Sequence, residues 1–183
     1  DIPDKSIDMI LCDLPYGTTA CSWDSIIPFE PLWEQYERII KDNGAIVLTA
    51  SQPFTSTLVM SNPNKYRHSW YWNKENGGNP LSAKNNPMSV VEEVLFFGKN
   101  KVNYYPNMVK AEDKNKRPRD KFSNKKTDLL SGVNKFKVSS THNENLRYPK
   151  NLLTYNNRKG DLNPINRVHP TQKPVELFEY LIR

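Results

Sequence analysis

The first apolar segment of the chain, residues 7–12, is followed by Asp13-Leu14-Pro15-Tyr16. A carboxylate accepts a hydrogen bond from an amino group, and an aromatic ring stacks on a planar partner. Proline fixes the backbone, so that a neighbouring carbonyl is aimed at the same amine. Because ligands bind at the carboxyl ends of strands in open α/β sheets, we expect these groups to border a pocket. The pattern is typical of a site for a flipped nucleobase that carries an amino group.

A turn without function is the alternative interpretation of this string, because Asp and Pro are common at strand-to-turn junctions. A second segment favours the chemical interpretation: His169-Pro170-Thr171-Gln172-Lys173-Pro174 precedes a helix-like apolar pattern. The order of the two motifs, with a long basic stretch between them, resembles the β class of the amino-group DNA methyltransferases. Members of that family methylate adenine N6 or cytosine N4.

The resemblance implies a Rossmann-like α/β sheet, S-adenosylmethionine as cofactor and double-stranded DNA as partner. It assigns catalysis to Asp13, Leu14, Pro15 and Tyr16. The Asp13 carboxylate and the Leu14 carbonyl each accept one N–H of the target amine, while Tyr16 stacks on the flipped ring. These contacts favour a geometry that returns the delocalised lone pair to the amine nitrogen.

Two positions of the first motif bear on the substrate. The family most often has proline where this chain has Leu14, and we expect activity to survive because a backbone carbonyl needs no proline side chain. Cytosine-N4 enzymes usually carry Ser at the position of Asp13, so the acid favours adenine. An N4-cytosine, RNA or protein-amide methyltransferase remains an alternative, as does an inactive DNA-binding remnant.

The second motif resembles the cofactor side of the family's site. The resemblance places Asp13, His169, Thr171, Gln172, Lys173 and Pro174 beside S-adenosylmethionine, and a helix N-terminus suits the cofactor carboxylate. In this motif order the family's glycine-rich cofactor loop comes after the second motif. We therefore expect the 183 residues to be a fragment that lacks this loop.

The basic residues are concentrated in one stretch. Residues 105–160 carry 14 Lys or Arg against 5 Asp or Glu, whereas the rest of the chain carries 12 against 15. Such a block predicts a target-recognition insert that binds DNA, and the alternative is a solvated charged loop. The candidate DNA-binding residues are Lys114, Lys116, Arg117, Arg119, Lys125 and Lys126.

Hydrophobic periodicity predicts the elements that position the motifs. Strands are expected at 7–12, 45–50, 67–73 and 90–97, and helices at 30–41, from 51 to about 60, and within 171–183. Asn43-Gly44 is interpreted as the stop signal after the helix at 30–41. Their alternation indicates a mostly parallel sheet covered on both faces. We divide the chain into a catalytic region (1–104), the insert (105–160) and the start of a cofactor-binding region (161–183).

The remaining features exclude other classes of protein. Cys12 and Cys21 have neither metal-site nor disulfide-framework spacing, which fits a reducing cytoplasm. The resemblance implies a bacterial or phage-encoded protein. Cys12 is interpreted as structural rather than nucleophilic. No apolar run approaches the roughly 20 residues needed to cross a bilayer. The segments Gly17-Thr18-Thr19 and Ser22-Trp23-Asp24 extend the resemblance, which implies a loop that closes over the base or contacts the DNA backbone. The alternative is a surface turn, and we expect Trp23 to pack beneath it. Oligomeric state and a cognate restriction nuclease stay open.

Overall fold

The computed structural model describes residues 1–19, 21–99, 102–110, 146–163, 165, 167–169 and 171–183. The chain divides into two compact units, one of residues 1–105 and 150–183 and the other of residues 106–149. In the smaller unit, β5 (Val109–Lys110) and β6 (Leu146–Arg147) form an antiparallel pair.

The larger unit is an α/β sheet with helices on both faces. Its helices are α1 (Phe29–Ile39), α2 (Phe54–Ser61) and α3 (Val175–Ile182). Its strands are β1 (Ile7–Asp13), β2 (Ile40–Ala50), β3 (Tyr66–Gly78), β4 (Ser89–Phe97) and β7 (Leu152–Thr154). Single 3-10 turns lie at Pro80–Ser82 and Gly160–Leu162.

The strand order is β1-β2-β4-β3-β7, and four of these strands run in one direction. β4 runs opposite to its neighbours β2 and β3, because no crossover helix separates it from β3 in the chain. The predicted α/β sheet is confirmed, with this hairpin making it mixed rather than purely parallel.

The alternation of strand side chains creates two cores. On one face, Ile46, Leu48 and Ala50 of β2 pack with Leu32 and Trp33 of α1 and with α2. On the other face, Val47 of β2 packs with β4 and with Leu181 of α3, while Leu177 of α3 packs on Trp72 and Leu153. The predicted covering of both faces is therefore confirmed.

The predicted end of the first helix and the predicted start of the second strand are wrong. The helix expected at 30–41 ends at Ile39, and Asn43 and Gly44 lie inside β2 rather than after the helix. Gly44 serves close packing, since a Cβ there would lie 2.7 Å from the Ile40 side chain and 2.9 Å from the Asp8 carbonyl oxygen. Residues 152–154, counted with the basic insert, pair with β3 in the main sheet.

Candidate active site

Four polar side chains form a row across the sheet where β1, β2 and β3 end and β4 begins. Asp13 ends β1 and pairs in register with Thr49 of β2. On the neighbouring pair of strands, Glu92 of β4 pairs with Trp72 of β3, and Lys74 follows Trp72 by two residues. We call this row and Lys173 the carboxyl-edge cluster. The period of two places the row on the face covered by α3, beyond the apolar residues of each strand. Those apolar residues include Met9, Leu11, Val47, Trp70, Val94 and Phe96.

The Asp13 carboxylate is held through one oxygen. Its Oδ1 accepts hydrogen bonds from the Tyr16 hydroxyl at 2.9 Å and from the Thr49 hydroxyl, and the Lys173 Nζ lies 3.3 Å away. Among the described residues, the hydrogen bonds to this carboxylate all go to Oδ1 and none goes to Oδ2. The side chain is 32% exposed. The second oxygen is thus oriented and available to accept from a ligand.

Lys173, Glu92 and Lys74 extend the cluster into the protein. The Lys173 Nζ lies 3.3 Å from the Glu92 Oε2, and the Lys74 Nζ donates to the Glu92 Oε1 at 3.0 Å. The side chains of Lys173, Lys74 and Glu92 are only 11%, 12% and 16% exposed. With Asp13, two carboxylates face two ammonium groups, so the largely buried network is formally neutral.

Tyr16 links the cluster to the opposite core. One face of its ring stacks on Phe54 with centroids 5.3 Å apart, and the Lys173 Nζ lies 5.3 Å from the ring centroid. Burial, and then the negative charge of Asp13, raise the pKa of Tyr16 well above its ordinary value. The phenol therefore remains protonated and donates to Asp13 at neutral pH.

Leu14 and Pro15 complete the first motif. The Leu14 side chain is 6% exposed and packs in the core with α1 and α2. Leu14 follows Ile10 and Cys12 on the strand face opposite Asp13, so alternation sends its side chain into the core. The leucine that replaces the family's usual proline is therefore a packing residue, and Pro15 is half-buried beside it.

Asp24 stabilises the loop after the first motif. Its carboxylate accepts backbone N–H bonds from Gly17, Thr18 and Thr19 at 2.9, 2.9 and 2.7 Å. The bond from Gly17 contributes most, and together with those from Thr19 and Thr18 it lowers the pKa of Asp24 to about 2. Gly17 has a φ of +68°, in the region that favours glycine.

The prediction that Trp23 packs beneath this loop is wrong. Trp23 is 52% exposed, and its ring lies 5.7 Å from the His169 ring, centroid to centroid. The loop is closed by the buried Asp24 carboxylate instead of by an apolar side chain. The indole ring of Trp23 therefore lies at the surface, next to His169 of the second motif.

The second motif folds into a turn before α3. The His169 Nδ1 lies 3.0 Å from the Thr171 Oγ1, and the Gln172 Oε1 accepts from the Val168 N–H at 3.0 Å. Pro174 has extended backbone angles directly before α3 begins. The turn directs Lys173 towards Asp13, so the two sequence motifs meet in space. Pro170 lies outside the described residues, as do Lys114, Lys116, Arg117, Arg119, Lys125 and Lys126.

Sequence reasoning missed Thr49, Glu92 and Lys74. The signal for Glu92 was a pair of acids, Glu92 and Glu93, inside an otherwise apolar strand. Thr49 and Lys74 needed the strand pairing, because only the register shows which side chains are neighbours.

Other kinds of site find no support in the described parts of the chain. No group of His, Cys, Asp or Glu there has the arrangement of a metal centre. Cys12 and Cys21 are both free thiols. No helix among the described residues is long and apolar enough to cross a membrane.

Comparison with known proteins agrees with the fold and the motifs. Among solved structures, the M1.HpyAVI–SAM complex is 18% identical with a TM-score of 0.51, and the match covers 97% of this chain and 66% of that one. The PvuII DNA methyltransferase, described as cytosine-N4-specific, is 14% identical with a TM-score of 0.56, covering 100% and 64%. The chain thus spans slightly less than two thirds of both proteins, and at these identities the likeness shows the fold.

The family comparison extends over nearly the whole chain. A model of the DNA methylases, grouping N6 and N4 methyltransferases, matches residues 7–183, a range that includes both motifs and every strand of the sheet. The chain belongs to this DNA methylase family.

Proposed function

We propose that this protein transfers a methyl group from S-adenosylmethionine to the N6 amino group of adenine in DNA. The observation that carries the proposal is the state of Asp13. Its carboxylate is fixed through Oδ1 by Tyr16, Thr49 and Lys173, and Oδ2 accepts no hydrogen bond from the described residues. An oriented acceptor at the carboxyl edge of the sheet suits an incoming N–H donor.

The carboxylate addresses the main chemical difficulty of the reaction. The lone pair of an exocyclic adenine amine is delocalised into the ring, which makes the amine a poor nucleophile. Asp13 accepting one N–H, with the Leu14 carbonyl accepting the other, favours a geometry that returns the lone pair to nitrogen. Fixing Asp13 in advance avoids reorganisation during the reaction.

We propose that the second motif forms one side of the cofactor site. When bound, S-adenosylmethionine supplies a sulfonium-activated methyl group, so the protein has mainly to position the two reactants. The motif proposed for the base side and the motif proposed for the cofactor side meet, with the Lys173 Nζ 3.3 Å from Asp13. We assign the cofactor side to Asp13, His169, Thr171, Gln172 and Pro174, and treat Lys173 separately below.

The identity of residue 13 supports adenine over cytosine. This support comes from the resemblance, because family members that act on cytosine N4 usually carry Ser at the position of Asp13. The basic insert supports DNA as substrate, because phosphate contacts supply most of the affinity of such proteins. Its six candidate residues keep that role in the proposal.

The test is methyl transfer by the natural protein from labelled S-adenosylmethionine to methylation-free genomic DNA, to RNA and to protein. We expect label in DNA, recovered as N6-methyladenine after digestion to nucleosides. Label recovered as N4-methylcytosine would overturn the adenine assignment. Label in RNA or protein alone would overturn the DNA assignment.

A further inference from the structure

Two carboxylates of the carboxyl-edge cluster share a single ammonium group. The Lys173 Nζ lies 3.3 Å from the Asp13 Oδ1 and 3.3 Å from the Glu92 Oε2. Glu92 is anchored from its other side, because the Lys74 Nζ donates to its Oε1. Lys173 therefore bridges the candidate catalytic acid to a carboxylate held inside the protein.

The Glu92 Oε2 depends on Lys173. This atom is buried and has no hydrogen-bond partner within the described residues. The facing ammonium group is its one compensating charge there, since Lys74 binds the other oxygen. A buried charge without a partner is costly, so Glu92 restrains Lys173 strongly to this position.

Lys173 is poorly placed to bind a cofactor with its ammonium group. That group already faces two carboxylates and the Tyr16 ring, and the side chain is 11% exposed. A cofactor carboxylate would have to displace Asp13 or Glu92 from it. The geometry thus separates Lys173 from its neighbours in the second motif.

We propose that Lys173 is a positioning residue for Asp13, held in place by Glu92; this rests on the proposed function. Lys173 fixes the Asp13 Oδ1 through charge, as Tyr16 and Thr49 do through hydrogen bonds. Oδ2 is thereby kept pointed at the substrate amine. Glu92 acts on the reaction only through Lys173.

The experiment compares Lys173→Met with Lys74→Met in the natural protein. Each variant removes one ammonium group from Glu92, but only Lys173 also contacts Asp13. We expect Lys173→Met to lower kcat at saturating cofactor by about 10- to 100-fold, the usual effect of a misplaced catalytic group. The Kd values for S-adenosylmethionine and DNA should stay close to wild type. Lys74→Met should lower Tm comparably but lower kcat by a clearly smaller factor than Lys173→Met, because it loosens Glu92 without removing a contact of Asp13.

A second variant keeps the inference testable if Lys173→Met does not fold. Glu92→Gln retains an acceptor for Lys74 but removes the charge that anchors Lys173, so kcat should fall by a smaller factor. In the Lys173→Met background, Glu92→Gln should cause no further loss, because the two changes act in sequence. Additive losses, or an unchanged kcat in Glu92→Gln, would overturn the inference.

Failure of this inference can be distinguished from failure of the proposed function. If wild-type protein does not methylate DNA, both fall. If wild type methylates DNA, Asp13→Ala does not, and Lys173→Met matches wild type, only the positioning role falls. A raised Kd for S-adenosylmethionine with an unchanged kcat in Lys173→Met would make Lys173 a cofactor ligand and contradict the positioning role.

Discussion

Charged side chains form ion pairs at both the amino and the carboxyl edge of the sheet, but those at the amino edge are exposed to water and those at the carboxyl edge are largely buried. At the amino edge, Asp42 pairs with Lys5 at 3.6 Å and with Lys99 at 3.3 Å, and the three side chains are 61%, 47% and 54% exposed. At the carboxyl edge, Lys173, Lys74 and Glu92 are each less than one fifth exposed. The same kinds of ion pair are therefore solvated in one place and desolvated in the other.

The difference in solvent exposure indicates which group of charges is suited to orient a reacting residue. Exposed pairs are screened and contribute little, so the amino edge is a solvated surface. Desolvated pairs interact strongly and penalise the loss of any member. The amino edge of β1 carries Lys5 and Asp8, whereas its carboxyl edge carries the one carboxylate that the buried network orients.

The largest expected effect is the loss of kcat on removal of Asp13, which we compare with removal of an acid at the amino edge. Asp13→Ala should lower kcat for DNA methylation by at least about a hundredfold, because removal of one preorganised polar group from an enzyme active site typically lowers kcat by about that factor. The matched variant Asp42→Ala removes an acid from the amino edge and should leave kcat near wild type. Steady-state kinetics on methylation-free DNA measures both. Equal losses in the two variants would mean that the edges do not differ in function.

A second change tests whether DNA affinity depends on the basic insert. Replacing Lys114, Lys116, Lys125 and Lys126 by Gln should weaken DNA binding and flatten its salt dependence. Each lost phosphate contact should lower the log–log slope by about 0.9 for duplex DNA. Titrations at several salt concentrations measure the slope. If the slope is unchanged, these lysines form a solvated face and the affinity lies elsewhere.

Substitution of Thr49 tests whether its hydroxyl group helps to orient Asp13. Thr49→Val keeps the shape of a fully buried side chain but removes the hydroxyl that donates to Asp13. We expect kcat to fall by about tenfold, since hydrogen bonds to charged groups are worth roughly 1.5–3 kcal/mol. Thr55→Val removes a hydroxyl that donates to Glu93 and serves as the control. A kcat loss as large in the control would show that packing, not orientation of Asp13, is responsible.

Substitution of Asp24 should have the smallest effect, and we expect it to change the Tm of the protein rather than its activity. Its pKa is lowered to about 2 in the folded protein, below the unfolded value of about 3.9. Its stabilisation is therefore fully present above the unfolded pKa and is lost as pH falls through about 2. The Tm difference between wild type and Asp24→Asn should be largest near neutral pH and shrink towards pH 2. A difference that stays constant with pH would contradict this role.

The sequence predicted the parts of the site that lie in contiguous motifs. Asp13 and Tyr16 were predicted because a strand, an acid and a turn follow one another in the chain, and the structure brings them together with Lys173 of the second motif. The resemblance had placed Lys173 beside the cofactor, and that role remains a prediction. Thr49, Glu92 and Lys74 were missed because they become neighbours only through strand pairing. Trp23 was misjudged because a general preference for burial was outweighed by the local bonds of Asp24. Gly44 was taken for a helix stop because its close contacts are not visible in the chain.

The most direct test of the central claim is the single-turnover rate of methyl transfer by Asp13→Asn. The asparagine retains the side-chain shape and one oxygen for Tyr16 and Thr49, but it presents an NH₂ group where the free oxygen stood. We expect a rate at least about a hundredfold below wild type, with Kd values for DNA and S-adenosylmethionine unchanged. A rate within a few-fold of wild type would contradict the claim that the free oxygen of Asp13 accepts the N–H of the target amine.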